Sequence, residues 1–448
     1  MNKVYRKIAV FLMVLGCHLA VGAEGERPNV LIIFADDLGY GDLGCYGATK
    51  VKTPNIDQLA EHGIRFANAY TPAATCSQSR VSLLTGRYWW RSKLHPPKGV
   101  ISPAGANALL EKGVDSLPKL FKESGYETSA FGKWHLGVGY GDTWKVKYDW
   151  NRPEIEGGPL DCGFDYFYGL AANVTNDPRV YIENRNFVGR KPGDGFVIKG
   201  KKVIPWSQDV IFKDDEVAGD MTRKAVAYIE STKSDKPLFI YFASTVPHKP
   251  ITPAKEFIGS SDAGIYGDFL HEMDAQVGDL LDALRRTGRL DNTLIIFTSD
   301  NGPVIDDGYQ DDAVKKLGTH QPSGPFRGGK YSAFEAGTRV PWIMHWPAAI
   351  QKGKSPALAC QIDLMASFAA LLGETLPKEA SPDGESILPA LMGQSHIGRE
   401  TLVLQARALS LRKGLWKWIE PSKAPAINRQ TNIELGHDPK GKLFYLGD

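Results

Sequence analysis

The chain has 448 residues, 42% of them hydrophobic and 23% charged, an ordinary globular composition that suits one large domain with a smaller companion. Its net charge of +2, with Lys/Arg clustering only at the extreme N-terminus and over Lys199–Lys202, excludes an electrostatic footprint for nucleic acid. Five cysteines, Cys17, Cys45, Cys76, Cys162 and Cys360, are too widely spaced for a disulfide scaffold or a C-x-x-C metal knuckle.

Residues 1–23 read as a signal peptide. Lys3, Arg6 and Lys7 precede the mostly apolar run 8–21, and Val21-Gly22-Ala23 is a small-residue cleavage site. The run is short for a membrane span. The expectation is therefore export, to a periplasm or the outside. A loose lipoprotein box at Val14-Leu15-Gly16-Cys17 makes a lipid anchor through Cys17 the second expectation. In that setting one disulfide among Cys45, Cys162 and Cys360 is open.

Asn29–Ala35 is an uninterrupted apolar run, as in a strand buried on both faces of a parallel sheet, and it ends in Asp36-Asp37. A helix is expected over 55–62 after Thr53-Pro54, then a brief strand at Ile64–Phe66. Thr75-Cys76-Ser77-Gln78-Ser79-Arg80, running on to Leu83-Leu84-Thr85-Gly86-Arg87, reads as a helix that Ser77 and Ser79 cap and Gly86 ends. Ser116-Leu117-Pro118 starts a helix before a strand at Glu127–Phe131, which leads into Gly132-Lys133-Trp134-His135.

Periodicity is poor over 140–200, which is expected to be loop, with Trp144, Trp150, Tyr166, Phe167 and Tyr168 as an aromatic lid. Helices over 215–232 and 267–287 flank a strand at Pro237–Ser244 that ends near His248. A third apolar strand, Leu294–Thr298, ends at Asp300-Asn301. Val340–His345 is a further strand, 362–372 a helix, and Thr401–Leu409 and Leu415–Ile419 are short strands of a small separate sheet.

Alternating apolar strands and helices specify an α/β fold with a mostly parallel sheet. In such sheets ligands bind beyond the C-terminal strand ends. Four runs here end in chemistry: Asp36-Asp37, Lys133/His135, His248 and Asp300-Asn301. Asp36, Asp37, Asp300 and Asn301 offer only oxygen donors, which suit calcium or magnesium over zinc. Cys76 at a helix N-terminus, one turn before Arg80, reads as a nucleophile over an oxyanion cradle. Lys133 and His135, two apart, would point the same way on an extended chain. Lys330 follows Gly328-Gly329, which let backbone approach an anion closely.

Cys76, Ser79, Arg80 and Leu83–Arg87, with Ala35-Asp36-Asp37-Leu38-Gly39, Gly132–Gly137, Pro247-His248, Thr298–Gly302 and Gly328-Gly329-Lys330, resemble the signature of the sulfatases, arylsulfatase-A-like members of the alkaline phosphatase superfamily. The resemblance runs from about Pro28 to Trp346 and more weakly beyond. It implies a catalytic domain over 27–350 and a smaller α+β subdomain over 351–448. It implies that a maturation enzyme oxidises Cys76 to formylglycine (3-oxoalanine). It implies one Ca2+ held by Asp36, Asp37, Asp300, Asn301 and the modified Cys76, with Arg80, Lys133, His135, His248 and Lys330 around the sulfate of a small-molecule or carbohydrate ester. His248 with Lys330 would protonate the leaving oxygen, and His135 would take the proton that lets sulfate depart. Gln78 departs from the family's Pro or Ala. The alternatives are a phosphate or phosphonate monoester hydrolase on the same fold, and a silent glycan-binding homologue in which Cys76 stays a thiol.

Overall fold

The computed structural model describes residues 27–92, 94, 108–141 and 148–447. The leader over 1–23, with Cys17, and Trp144 lie outside them. A ten-stranded sheet runs through the large domain. Its central five strands are parallel, in the spatial order Thr293–Ser299, Asn29–Ala35, Leu238–Ala243, Glu127–Lys133, Tyr166–Leu170. Alternation splits each strand between two cores. Val30, Ile32 and Phe34 pack on one face with helices Cys76–Thr85, Leu117–Glu123 and Leu364–Leu372. Leu31, Ile33 and Ala35 pack on the other with helices Pro54–His62, Val217–Ser231 and Gly264–Arg286.

Register positions the site. Ala35 lies opposite Ser299, Phe34 opposite Ala243, and Ala243 opposite Gly132. The residues that follow these strands therefore leave the sheet at one edge. Antiparallel strands complete the sheet: Trp342–His345 and Ile64–Phe66 on one side, Ile182–Glu183 and Asn186–Phe187 on the other.

The expectation for 140–200 changes. Tyr166–Leu170, expected in loop, is a strand of the main sheet. Its aromatic residues pack rather than form a lid: Phe167 is buried, Tyr166 stacks on Tyr228 with ring centroids 5.1 Å apart, and Trp150 lies in the core against Phe187 and Phe196. Gly353–Ser355 pairs with Ile64–Phe66, and Leu364–Leu372 packs on the main core. Cys45, Cys76, Cys162 and Cys360 are all free thiols, with Cys162 and Cys360 in separate apolar clusters. No helix among the described residues is long and apolar enough to cross a membrane.

The expected strand over 401–409 is two strands, Thr401–Ala406 and Ala408–Lys413, because the chain turns at Arg407, whose φ is 64°. With Trp416–Ile419 and Lys442–Tyr445 they form a four-stranded antiparallel sheet. Its alternation is inverted: Ser410, Arg412 and Lys417 point inward, while Leu409, Leu411, Trp416 and Trp418 are exposed. The reason is a buried ionic network with the large domain. Glu335 receives Lys417 Nζ at 2.9 Å, Arg339 Nη1 at 3.1 Å and the Tyr70 hydroxyl at 2.6 Å, and Arg412 donates to Tyr70.

Burial disfavours the Glu335 carboxylate, but Lys417 and Arg339 outweigh it and draw its pKa from 4.5 down to about 2. A depressed carboxyl contributes stability that is present above its unfolded pKa and lost as pH falls through the folded one. That difference corresponds to roughly 3 kcal/mol. Glu335→Gln is therefore expected to lower unfolding free energy by about 3 kcal/mol near neutrality. The gap to wild type should close as pH falls from 4.5 towards 2, which denaturant unfolding at a series of pH values would measure. A gap independent of pH would contradict this account.

Candidate active site

The aligned strand ends deliver the acidic residues. Asp36 N–H donates to Val246 O at 3.0 Å, and Asp300 N–H to Ala35 O at 3.1 Å. Asp37, at φ 66°, turns the chain so that its N–H reaches Asp300 Oδ1 at 3.1 Å. Gly302 follows because a Cβ there would lie 1.6 Å from Ala336 O. Gly132, at φ 99° with no space for a Cβ beside Ala243 O, bends the next strand's end towards Lys133. His135 has φ 54°, so the extended backbone of the strand does not continue through it as expected.

The helix Cys76–Thr85 is buried along its whole length and closed by Gly86 in the left-handed conformation, with Gly86 N–H on Ser82 O. Ser77 and Ser79 do not cap it. Ser77 Oγ donates to His135 O at 2.9 Å, and Ser79 Oγ to Ala73 O at 2.8 Å. The serines thus tie the Cys76 helix to the His135 loop and to its own lead-in. Thr75 Oγ1 donates to Gln78 Oε1 at 2.6 Å.

All ten residues singled out from the sequence lie in this one buried cluster. Lys133 Nζ contacts Asp36 Oδ2 at 2.6 Å, and Lys330 Nζ contacts Asp37 Oδ1 at 2.6 Å. Arg80 Nη2 contacts Asp300 Oδ2 at 2.8 Å, and its Nη1 donates to Lys133 O at 2.9 Å. Asn301 Nδ2 donates to Asp37 Oδ1 at 2.7 Å, Cys76 Sγ lies 3.8 Å from the same oxygen, and His248 Nε2 is 3.6 Å from Asp37 Oδ2. Arg327, ambiguous in the sequence, pairs with Glu434 in an exposed position away from the cluster.

Electrostatics sort the roles. Burial opposes the Asp37 carboxylate, but Lys330, His248 and Lys133 hold its pKa well below the usual range. Burial, then repulsion from Asp36, pushes Asp300 up to about 6 despite Arg80. Burial pushes the Cys76 thiol well up, so it is no thiolate at neutral pH. Burial and Lys133 keep His135 and His248 neutral. His248 Nδ1 bonds Lys249 O at 2.8 Å and so carries the proton, which leaves Nε2 as the acceptor facing the site.

The donors fit a hard cation. Asp36 Oδ1 and Asn301 Oδ1 are buried without a hydrogen-bond partner, and buried oxygens left so are costly. One ligand atom each from Asp36, Asp37, Cys76 and His248 fits within 4.8 Å of the others. That group joins two carboxylates to a thiol and an imidazole and could hold a metal ion. The expected outcome is that calcium raises the thermal midpoint over an EDTA control, and that Asn301→Ala removes most of the rise. No calcium-dependent shift in wild type would refute the site.

A cavity of about 320 Å³ opens above Asp37 and Lys330, between Thr75 and a wall that includes Arg407, Gln430 and Thr431. The sequence reading missed this wall. Its residues lie more than 300 positions beyond Cys76 and carry no motif; the sole hint is the polar run Asn428–Asn432.

The family model described as Sulfatase matches residues 28–374. The N-acetylgalactosamine-6-O-sulfatase of Bacteroides thetaiotaomicron is 40% identical over 475 residues, covering 97% of this chain and 91% of that protein. Human arylsulfatase A is 35% identical over 398 residues, covering 87% of this chain and 72% of its own length. A solved Bacteroides thetaiotaomicron structure, from work on the metabolism of multiple glycosaminoglycans, superposes with TM-score 0.87 at 40% identity, covering 94% of each chain.

Proposed function

The chain belongs to the sulfatase family and is a sulfuric ester hydrolase, and from that premise we propose that it removes a 6-O-sulfate from an N-acetylhexosamine of a sulfated glycan. The observation that carries the substrate class is 40% identity over 97% of the chain to an N-acetylgalactosamine-6-O-sulfatase. The residues 1–23 support export to a periplasm or the exterior, with anchoring through Cys17 as the second route.

The catalytic set is Cys76, Arg80, Lys133, His135, His248 and Lys330. Asp36, Asp37, Asp300, Asn301 and residue 76 would hold one Ca2+, which supplies positive charge against the sulfate oxygens. Conversion of Cys76 by a sulfatase-maturation enzyme supplies a hydrated formylglycine as the nucleophile; the raised pKa of the unmodified thiol supports the need for it. The chain's own groups do the rest. Arg80, fully buried and held between Asp300 and Lys133 O, offers a rigid fork to an oxyanion. Lys133 and Lys330 add charge from a buried setting, where it acts strongly. An anionic sulfate beside His248 Nε2 favours its protonated form, so this nitrogen and Lys330 Nζ can protonate the leaving oxygen. His135, neutral and with Nδ1 unpartnered, is suited to take the proton that frees the sulfate.

The test is turnover of N-acetylgalactosamine-6-sulfate against its 6-phosphate analogue, with the mass of the peptide carrying residue 76. Sulfate release with an aldehyde at 76 is expected. Faster phosphate turnover would favour the monoester hydrolase, and a thiol without activity would favour the silent binder. Lys133→Ala and Lys330→Ala should each lower kcat/KM by about a hundredfold or more. Each also removes the nearest cation from a buried carboxylate, leaving Asp36 with Arg80 at 3.6 Å and Asp37 with its His248 and Asn301 contacts, at a cost on the order of 1–3 kcal/mol in calcium-free protein.

Gln78 occupies the first helical turn, where a proline would remove no bond from the helical ladder. Gln78→Pro, made in a foreign host, is expected to raise the aldehyde fraction and the activity together. Wild type already converted almost completely would show that glutamine is harmless there.

A further inference from the structure

The wall of the cavity holds an arginine that the chemistry at Cys76 does not use. Ala406 pairs directly with Ala408, so Arg407 alone forms the turn between two strands. Its φ of 64° is a conformation in which glycine or asparagine would be relaxed and arginine is not. The turn is anchored next to the nucleophile. Gln405 N–H donates to Pro72 O at 3.0 Å and Ala74 N–H to Gln405 O at 2.9 Å, two residues before Cys76. Tyr331 N–H in turn donates to Ala74 O at 2.9 Å, which ties in the loop of Lys330. Arg407 therefore stands at a set distance from the reacting centre.

Its charge is uncommitted. Of the three cations lining the cavity, Lys330 is paired with Asp37, and Lys249 donates to Asp307 O at 2.8 Å and lies over the Tyr309 ring. The exposed Arg407 guanidinium has no hydrogen-bond or ion-pair partner among the described residues. Beside it on the wall, Thr431 is only 6% exposed, and its Oγ1 has no partner. At about 320 Å³ the cavity is at the small end of ligand pockets, so a glycan seated in it extends past the rim. A strained backbone kept at a cavity mouth, with an unpaired fork of donors on it, marks a residue held for what it binds.

We propose that Arg407 binds a second anionic group of the substrate, a carboxylate or further sulfate on the sugar next to the one being desulfated, while Thr431 Oγ1 meets a hydroxyl of the sugar in the cavity. This rests on the sulfated-glycan reading above and adds to it that the neighbouring sugar is read by charge. A guanidinium fork matches carboxylate and sulfate alike.

Steady-state kinetics on four sulfate esters test this: the 6-sulfated N-acetylgalactosamine alone, the same sugar linked to a uronic acid, that disaccharide with its carboxyl reduced to an alcohol, and one whose neutral neighbour carries a second sulfate. The variants are Arg407→Asn, which suits the positive φ and spares the turn, and Arg407→Lys. Arg407→Asn is expected to lower kcat/KM on an anionic disaccharide about tenfold more than on the monosaccharide, through KM, with Arg407→Lys restoring part. An effect present with the uronate and gone after reduction identifies a carboxylate; an effect confined to the disulfated compound identifies a sulfate. Equal changes on all four substrates, or none, overturn the proposal. Wild-type inactivity on all four overturns the substrate reading itself, and this inference with it.

Discussion

Carboxylates can be buried side by side only if positive charge is buried with them. Asp36, Asp37 and Asp300 meet that constraint with Lys133, Lys330 and Arg80, each cation within 2.8 Å of a different acid. The compensation is still uneven: Asp36 repels Asp300, and two oxygens of the cluster accept no hydrogen bond. A site arranged in this way favours a divalent cation among its acids and an oxyanion among its bases. Both needs arise from one set of contacts, so metal affinity, stability and sulfate recognition are expected to be coupled.

The sheet makes that concentration of charge affordable to the fold. Its parallel strands are buried almost throughout and covered by apolar cores on both faces, and their registers end at one level. Charged residues emerge together where the strands stop, and the apolar cores below them stay uninterrupted. The helix carrying Cys76 closes the site from one face, and hydrogen bonds from Ser77 and Ser79 set its position relative to His135 and Ala73.

The small sheet belongs to the same design. Its inward-facing Arg412 and Lys417 would be misplaced in an independent domain, but here they meet Tyr70 and Glu335 of the large one. That ionic contact, with the backbone bonds at Gln405, holds Arg407 and the nearby wall over the cavity. The C-terminal part of the chain thus completes the cavity over Asp37 and Lys330, although none of the acids and bases at the centre comes from it.

Much was legible in the sequence because it was local. Apolar runs specify buried strands, Gly86 ends a helix, and four spaced residues put Cys76 and Arg80 on one helical face, all through short-range backbone geometry. The motif blocks, through their resemblance to the sulfatases, further group the ten residues. The misreadings involve contacts distant in the chain. Tyr166–Leu170 becomes a strand because Glu127–Lys133 offers an edge, and its aromatic residues enter a core rather than a lid. The break at Arg407 and the inverted small sheet answer to Glu335 and Pro72, far away in sequence. By itself the sequence determined the central strands, the helix that carries Cys76 and the residue types at each strand end. The tertiary structure alone decided which carboxylate each cation neutralises and which residues wall the cavity, because ion pairing and enclosure depend on separations through space that local periodicity does not encode.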